Sequence, residues 1–327
     1  MEEETTGPGP RVPATLALVD HLEPIDVLVG CTAAGKTELA LEVAGRLGAE
    51  ILSMDSMLVY RGMDVGTAKP TPEERRRVPH HLIDLVEPSE RYDVQRWLAD
   101  FERAEAAVRA AGKRPLVVGG TGFYLQAVLH GLFDGPPADP SLRASIEQRG
   151  RELGDQGLHG ELRRVDPLAA ERIHPHDQKR VRRALEVWEQ TGSPLSAQQE
   201  QWGWSGEARP GRPRRLVGLA REEPRLTRRI RSRTRAMLDA GWVEEARRVR
   251  ASCGLGPTAR QALGYREVLE LADGLATRAE TEERIALRTR RFARRQRTWF
   301  RRFADIEWID PESADAPGVV AGLFAAP

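Results

Sequence analysis

The stretch GCTAAGKT, Gly30–Thr37, matches the pattern G-x-x-x-x-G-K-[ST] of a phosphate-binding loop. An apolar run, Ile25–Val29, precedes it and predicts a strand, while Glu38–Leu47 follows with apolar residues four apart and predicts an amphipathic helix. In this setting the loop's N–H groups, the positive end of the helix and Lys36 favour an oxyanion, and Thr37 suits a magnesium ion. The stretch therefore predicts phosphate binding, and ATP hydrolysis does not follow from it.

Further strand and helix patterns alternate along the chain. Strands that alternate with helices favour a parallel sheet with right-handed crossovers, and ligands of such sheets bind at the carboxyl ends of the strands. We therefore predict an α/β fold, a P-loop parallel sheet flanked by helices. The further predicted elements are strands at Ala49–Ser53, Leu82–Leu85, Leu116–Val118 and Arg215–Leu219, and a helix at Tyr92–Ala111.

The pattern changes after residue 130, and we predict five segments. A disordered tail is expected over residues 1–22, and the first part of the core over 23–130. Residues 131–204 are predicted to form a helical insertion domain, which includes a helix capped by Asp177 and ended by Gly192. The second part of the core, mostly helical, spans 205–312, and residues 313–327 are predicted as a C-terminal tail.

The composition of the chain indicates which general class of protein, and which cellular compartment, to expect. The 327 residues carry a net charge of +1, and no apolar stretch reaches the roughly 18 residues of a membrane span. The N-terminus is acidic and rich in Pro and Gly, unlike a signal peptide. Cys31 and Cys253 lie far apart, as suits a reduced protein. We expect a cytoplasmic protein without a membrane partner, and a monomer by default.

Positive charge is concentrated in two segments. Ile285–Phe303 holds eight Arg and no Asp or Glu, and Arg212–Arg235 holds ten Arg against two Glu. Aromatic residues such as Phe292 and Trp299 interleave with the first set, which suits phosphate contact plus base stacking. The same pattern fits solvated helix faces with a packed aromatic side, so an RNA partner is one of two interpretations.

The presence or absence of a carboxylate after a predicted strand distinguishes between the possible classes of reaction. The strand Leu116–Val118 runs into Gly119-Gly120-Thr121-Gly122 without the Asp that holds magnesium in P-loop hydrolases, which disfavours a motor or switch ATPase. Asp55 follows the second strand at the expected phosphate edge, where it can orient an amine and take its proton. Capping a helix, or holding magnesium through water, are alternative roles for this carboxylate.

Seven motifs in a fixed order identify a family. The chain resembles the bacterial-type tRNA dimethylallyltransferases (isopentenyl-tRNA transferases) over roughly Pro24 to Asp310. The motifs are GCTAAGKT, MDSMLVYRGMDVGTAKP (Met54–Pro70), PHHLIDLVEP (Pro79–Pro88), GGTGFYLQAVLHG (Gly119–Gly131), DQKRVRRALEVWEQTG (Asp177–Gly192), ARQALGYREV (Ala259–Val268) and RRFARRQRTWFRR (Arg290–Arg302).

The resemblance implies a reaction and its residues. The chain would move a dimethylallyl group from dimethylallyl diphosphate to the N6 amine of the adenine 3′ of the anticodon, in tRNAs that read U-starting codons. Asp55 would be the general base, and Thr121 would place a hydroxyl near the reacting centre. Arg233 would neutralise the charge of the leaving diphosphate, and Arg231 and Arg235 are the alternatives for this role. Mg²⁺ would sit at Thr37. The diphosphate would be bound by Gly30, Thr32, Ala33, Ala34, Gly35, Lys36 and Thr37.

The resemblance also implies a contact set for the tRNA anticodon arm. Three segments contribute, and the set consists of Asp55, Ser56, Met57, Leu58, Gln178, Lys179, Arg180, Val181, Arg182, Arg260, Gln261, Gly264 and Tyr265. This chain departs from the family where Cys31 replaces a common Pro, Ala34 a common Ser and Leu58 a frequent Gln. The alternatives are an adenylate isopentenyltransferase of the cytokinin-forming type, a P-loop small-molecule kinase and a non-catalytic RNA-binding P-loop protein.

Overall fold

A computed structural model describes residues 23–132, 135–137, 139–198, 212 and 214–325. The predicted disordered tail, residues 1–22, lies outside the described residues. The chain divides into two compact units: the larger one comprises Glu23–Val128 and Pro213–Pro327, and the smaller one contains Leu129–Arg212. No helix of the described ranges is long and apolar enough to cross a membrane.

The larger unit is built on a sheet in which every pair of neighbouring strands is parallel, with the order β3-β2-β4-β1-β5-β6. The α/β fold with a P-loop parallel sheet is therefore confirmed. Strand β1 lies between β4 and β5, so the loop that follows β1 emerges at the middle of the carboxyl edge. The strands are β1 (Ile25–Gly30), β2 (Ala49–Met54), β3 (His80–His81), β4 (Arg114–Gly119), β5 (Arg214–Leu219) and β6 (Ile306–Ile309).

Helices fill the connections between the strands and make up most of the chain after β5. Those of the first part of the chain are α1 (Lys36–Leu47), α2 (Pro72–Arg77), α3 (Val94–Ala110) and α4 (Gly122–His130). The middle of the chain forms α5 (Pro140–Val165), α6 (Pro167–Arg172), α7 (Gln178–Thr191) and α8 (Leu195–Gln198). The last part forms α9 (Glu223–Asp239), α10 (Trp242–Ser252), a 3₁₀ turn (Ala259–Gln261), α11 (Tyr265–Ala272), α12 (Arg278–Phe300) and α13 (Ala316–Ala325).

The smaller unit contains helices α5 to α8 around its own apolar core. Asp177 caps α7 by accepting a hydrogen bond from the Arg180 N–H, and Gly192 ends the helix with φ of 68°. The helix predicted from this cap to Gln190 is therefore confirmed. Val181 and Leu185 of α7 pack against Leu158 of α5, which bends at Gly154. The unit's boundaries lie at 129 and 212, slightly outside the predicted 131–204.

The strand predicted at Leu82–Leu85 is wrong. The strand beside β2 is His80–His81, and the chain leaves the sheet immediately afterwards because Leu82 and Asp84 have left-handed φ values of 64° and 56°. This turn directs Asp84 towards the Lys69 ammonium group, which lies 2.6 Å from it. The conformation costs backbone strain at two non-glycine residues, and the buried ion pair helps to offset it.

The predicted C-terminal tail, 313–327, is wrong for Ala316–Ala325, which forms helix α13. Val320 and Phe324 are fully buried in the core cluster that contains Leu39 and Val43 of α1. Strand β6, which precedes α13, was also not predicted. Both elements belong to a stretch whose Ala, Gly and Pro residues give little periodic signal, and they are formed by contacts with residues distant in sequence.

Because Phe324 is fully buried, we expect Phe324→Ala to lower the free energy of unfolding by about 3–5 kcal/mol. Chemical denaturation measures this difference. Val319→Ala in the same helix is the control, since Val319 is 45% exposed and should cost far less. Equal effects of the two substitutions would show that α13 is not part of the core.

Candidate active site

The loop between β1 and α1 has the backbone conformation of an anion-binding turn. Ala33 and Gly35 adopt left-handed φ values of 63° and 103°, and helix α1 starts at Lys36. The first-turn N–H groups of a helix have no partner within the helix, and the helix dipole makes this end positive. The start of α1 therefore presents N–H donors and partial positive charge at the carboxyl edge of the sheet.

Three cationic side chains hold the carbonyl groups of this loop. The Lys36 ammonium donates to the carbonyls of Gly30 and Cys31 at 2.8 and 2.9 Å. Arg229 donates from Nε to the Ala33 carbonyl at 3.3 Å, and Arg221 to the Ala34 carbonyl at 3.4 Å. Because these carbonyl oxygens are already bonded to cationic side chains, their partial negative charge is neutralised at the place where an anion would bind.

The charges of a lysine, an aspartate and an arginine influence one another near the loop. Burial lowers the pKa of Lys36 to about 8; the nearby charge of Asp55 opposes that shift and the charge of Arg233 adds to it. Burial likewise lowers the pKa of Arg233, against the opposing effect of Asp55. The three groups are therefore within electrostatic reach of one another, in a partly desolvated place where charges interact strongly.

The same arrangement distinguishes Arg233 from the alternative arginines of α9. Arg231 is exposed and pairs with Glu283 at 2.8 Å, and Arg235 is exposed and pairs with Glu282 at 3.6 Å. Of the three, Arg233 is the arginine whose charge influences the pKa of Lys36, and Asp55 in turn influences Arg233. Arg233 is therefore the best candidate of the three to act at the phosphate loop.

Asp55 directly follows the last residue of β2 and is half-buried. Its Oδ1 accepts a hydrogen bond from the Met57 N–H at 2.8 Å, and the residues that follow form turns, so Asp55 does not cap a helix. Burial raises the pKa of Tyr124, and the charge of Asp55 adds to this shift. The Tyr124 ring is buried and stacks on Trp97 with centroids 4.3 Å apart.

The loop between β4 and α4 is packed so closely that it requires its glycines. A Cβ on Gly119 would lie 2.1 Å from the Met54 carbonyl oxygen, and one on Gly122 would lie 1.9 Å from the Trp299 ring. Thr121 sits between them, half-buried, and its N–H donates to the Met54 carbonyl at 3.4 Å. This contact keeps Thr121 at the edge of the sheet where Asp55 also lies.

One functional residue that the sequence did not reveal is Gln296 of α12. Its Oε1 accepts from the Thr32 N–H at 2.9 Å, and its Nε2 donates to the Gly120 carbonyl at 2.8 Å. A single amide thus joins the phosphate loop to the β4–α4 loop. The only local signal is a neutral residue within a run of arginines, which does not specify this role.

The expected tRNA-contacting residues fall into two groups. Most are exposed or half-buried, among them Ser56, Met57, Leu58, Gln178, Lys179, Arg180, Arg182, Arg260 and Gln261. The prediction needs correction at Val181 and Tyr265, whose side chains are fully buried in hydrophobic cores and therefore have a packing role. Gly264 is also buried, and a Cβ there would lie 2.1 Å from the Trp242 ring.

The Thr37 hydroxyl is the oxygen that a magnesium ion would use at the phosphate loop. Thr37 is exposed in the first turn of α1, and the described residues contain no cluster of three His, Cys, Asp or Glu side chains able to hold a metal. Magnesium typically keeps several waters and is bound through few protein oxygens plus substrate phosphates. His80 and His81 bond separately, to the Val78 carbonyl and to Glu50.

Comparison with known proteins gives one consistent result. A family model described as IPP transferase matches residues 58–303, and one described as isopentenyl transferase matches residues 23–84. The tRNA dimethylallyltransferase of Shouchella clausii is 44% identical over 295 residues, covering 90% of this chain and 93% of that protein. The same enzyme of Moorella thermoacetica is 45% identical over 304 residues, covering 90% and 92%.

Solved structures agree with these relatives. The tRNA isopentenylpyrophosphate transferase of Bacillus halodurans matches with a TM-score of 0.66 and 37% identity, over 92% of this chain and 94% of that one. A eukaryotic dimethylallyltransferase, in structures described as acting on tRNA, matches with a TM-score of 0.72 and 26% identity, over 88% and 74%. With its phosphate loop, its Asp55 and these likenesses, the chain belongs to the tRNA dimethylallyltransferase family.

Proposed function

We propose that this protein transfers a dimethylallyl group from dimethylallyl diphosphate to the N6 amine of the adenine 3′ of the anticodon, in tRNAs that read U-starting codons. The observation that carries the proposal is an anion-binding loop at the start of α1, with Asp55 and Arg233 both within electrostatic reach of its Lys36. A base for the amine and two cations for the leaving group thereby belong to one site. The family's name, shared by the relatives, supports the same reaction.

The phosphate loop binds the diphosphate of the donor in this proposal. Its N–H groups and the start of α1 contact the oxygens, and Lys36 and Arg233 neutralise the charge that grows on the leaving group. Thr37 would hold Mg²⁺, which when bound adds further positive charge at the diphosphate. The loop carbonyls stay bonded to Lys36, Arg221 and Arg229, and so do not repel the anion.

Asp55 acts as the base towards the acceptor. The adenine N6 nitrogen attacks the prenyl C1, the C1–O bond to diphosphate breaks, and the amine proton passes to the Asp55 carboxylate. Thr121, at the same edge of the sheet, offers a hydroxyl near the reacting atoms. An adenine reaches such a site only after it leaves its stack.

A basic face of α12 supports a tRNA acceptor over a mononucleotide. Its arginines recur at helical spacing, are exposed, and pair with no carboxylate within the part of the chain that the structure describes. The Arg302 guanidinium lies 4.5 Å above the centre of the Trp299 ring. A polyanionic partner would satisfy this charge. The arginines of this face are Arg291, Arg294, Arg295, Arg301 and Arg302.

Arg294→Gln combined with Arg295→Gln is expected to weaken tRNA binding and to reduce the salt dependence of binding by about one unit of slope per lost phosphate contact. Filter binding over a salt series measures both. Donor affinity should stay unchanged. Arg278→Gln with Arg284→Gln is the matched control, since these arginines of α12 already pair with carboxylates. An equal change of slope in both double variants would refute a tRNA contact by the basic face.

The experiment that tests the function compares acceptors. Purified protein is mixed with Mg²⁺ and labelled dimethylallyl diphosphate, with unmodified tRNA or with free AMP. We expect label in tRNA alone. Label in AMP would establish the adenylate isopentenyltransferase instead. No label in either, together with tight ATP binding, would favour the kinase, and tRNA binding without any transfer would favour the non-catalytic binder.

Two further expectations belong to the proposal. We propose that the protein acts as a monomer, since the site's residues Lys36, Asp55, Thr121 and Arg233 all come from one compact unit. The cytoplasmic location stays a prediction from the sequence.

A further inference from the structure

A buried carboxylate accepts several hydrogen bonds from the backbone of the loop that follows Asp55. Glu245 of α10 is 1% exposed. Its Oε2 accepts from the N–H groups of Asp64 and Val65 at 2.8 and 2.7 Å, and its Oε1 accepts from the Gly66 N–H at 2.9 Å. The Tyr265 hydroxyl donates to Oε1 at 2.6 Å as the fourth bond. Three successive backbone donors thus converge on one side chain that lies about 180 residues away in sequence.

Packing around this contact leaves no freedom for the turn. A Cβ on Gly66 would lie 2.1 Å from the Trp242 Nε1 atom, so only glycine lets the backbone approach α10 this closely. Trp242 is itself buried and meets the Tyr265 ring edge-on, with centroids 5.7 Å apart. Burial raises the pKa of Tyr265, and the charge of Glu245 adds to the shift, which keeps the hydroxyl a donor.

A chain of bonds leads from this turn back to Asp55. The Lys69 side chain, 1% exposed, donates to the Tyr60 carbonyl and to the carboxylates of Asp64 and Asp84, each at 2.6 Å. The Tyr60 N–H donates to the Met57 carbonyl at 3.3 Å, and the Met57 N–H donates to Asp55 Oδ1. Lys69 therefore connects the turn at residues 64–66, which is bonded to Glu245, to the start of the same loop.

We propose that Glu245 is a positioning residue for the transfer. It fixes the β2–α2 loop, residues 55–71, so that Asp55 and the adjoining Ser56–Leu58 stretch stay in place for the acceptor. The proposal rests on the function proposed above, because it concerns the base of that reaction. The phosphate loop contacts neither Glu245 nor the turn among the described hydrogen bonds, so donor binding is expected to be independent of this contact.

Glu245→Gln tests the proposal without changing the size of the side chain. The glutamine amide keeps one acceptor oxygen, but its NH₂ group replaces the other oxygen and cannot accept a hydrogen bond. Some of the N–H groups that converge on Glu245 therefore lose their acceptor. We expect kcat/KM for tRNA to fall about 100-fold, as for a roughly 1 Å displacement of a reacting group. The dissociation constant of dimethylallyl diphosphate should stay at the wild-type value, and amide hydrogen exchange at residues 64–66 should accelerate.

Two further variants make the result specific. Glu244→Gln, the exposed neighbour on α10, is the matched control and should retain wild-type kcat/KM. Gly66→Ala pushes the same turn away from α10, because the added Cβ would meet Trp242. It should reproduce the pattern, also in case Glu245→Gln folds poorly. Wild-type kcat/KM in both turn variants would overturn the proposal, and so would an equal loss of donor affinity, which indicates general destabilisation. If the wild-type protein itself transfers nothing, the proposed function fails, and this inference fails with it.

Discussion

Replacing Asp55 by asparagine is expected to lower the rate of prenyl transfer by about 10²–10⁴-fold, the contribution typical of a positioned base. The amide oxygen can still accept the hydrogen bond from the Met57 N–H, so the turn should persist. Only the proton acceptor for the adenine amine is removed. Single-turnover transfer of labelled prenyl to tRNA measures the rate, and binding of tRNA and of donor should change little.

The control for this experiment is Asp273→Asn. That carboxylate is exposed, pairs with Arg250 at 2.7 Å and lies at the end of α11. It should leave the rate unchanged, because surface pairs contribute about 0–1 kcal/mol to stability and nothing to the site. A rate for Asp55→Asn close to that of the wild type would show that another group takes the proton.

Arg233→Ala should have the second large effect. The side chain is half-buried and within electrostatic reach of Asp55 and Lys36, so its charge is less screened than that of an exposed arginine and acts on the diphosphate. Removal of one such stabilising group typically costs about 10²–10³ in kcat. We expect a loss of this size in the transfer rate, together with weaker donor binding.

Arginines of the same helix provide the matched controls. Arg231→Ala and Arg235→Ala remove exposed side chains that pair with Glu283 and Glu282, and they should retain wild-type donor affinity. A loss in these two that equals the loss in Arg233→Ala would indicate a general effect of the charge of α9. Arg233→Lys should restore part of the rate, because it returns the charge without the planar fork.

Local patterns predicted the centre of the fold. The spacing of the glycines and Lys36, the apolar run before them and the apolar residues four apart after them all lie within about one strand and one helix of chain. They predicted β1, the phosphate loop and α1, and the cap at Asp177 predicted α7. Asp55 was predicted as a site residue from its place after β2, whereas Thr121 was predicted from the family resemblance; both follow strands whose carboxyl ends share one edge of the sheet.

Features that depend on distant contacts were missed. Gln296 bonds to Thr32 across 264 residues, and Glu245 bonds to Val65 across 180. No local pattern encodes either pairing, since the residue types are ordinary for helices. Val181 and Tyr265 were misplaced on the RNA surface for the opposite reason: a motif can include residues that pack beneath a surface as well as those on it.

The most direct test of the account is to find the modified nucleoside. Unmodified tRNA that reads U-starting codons is incubated with the protein, Mg²⁺ and dimethylallyl diphosphate, then digested and mapped by mass spectrometry. We expect one prenyl group on N6 of the adenine 3′ of the anticodon, one diphosphate released for each, and both formed far more slowly with Asp55→Asn. Diphosphate release without prenylated tRNA, or a prenyl group at another nucleotide, would contradict it.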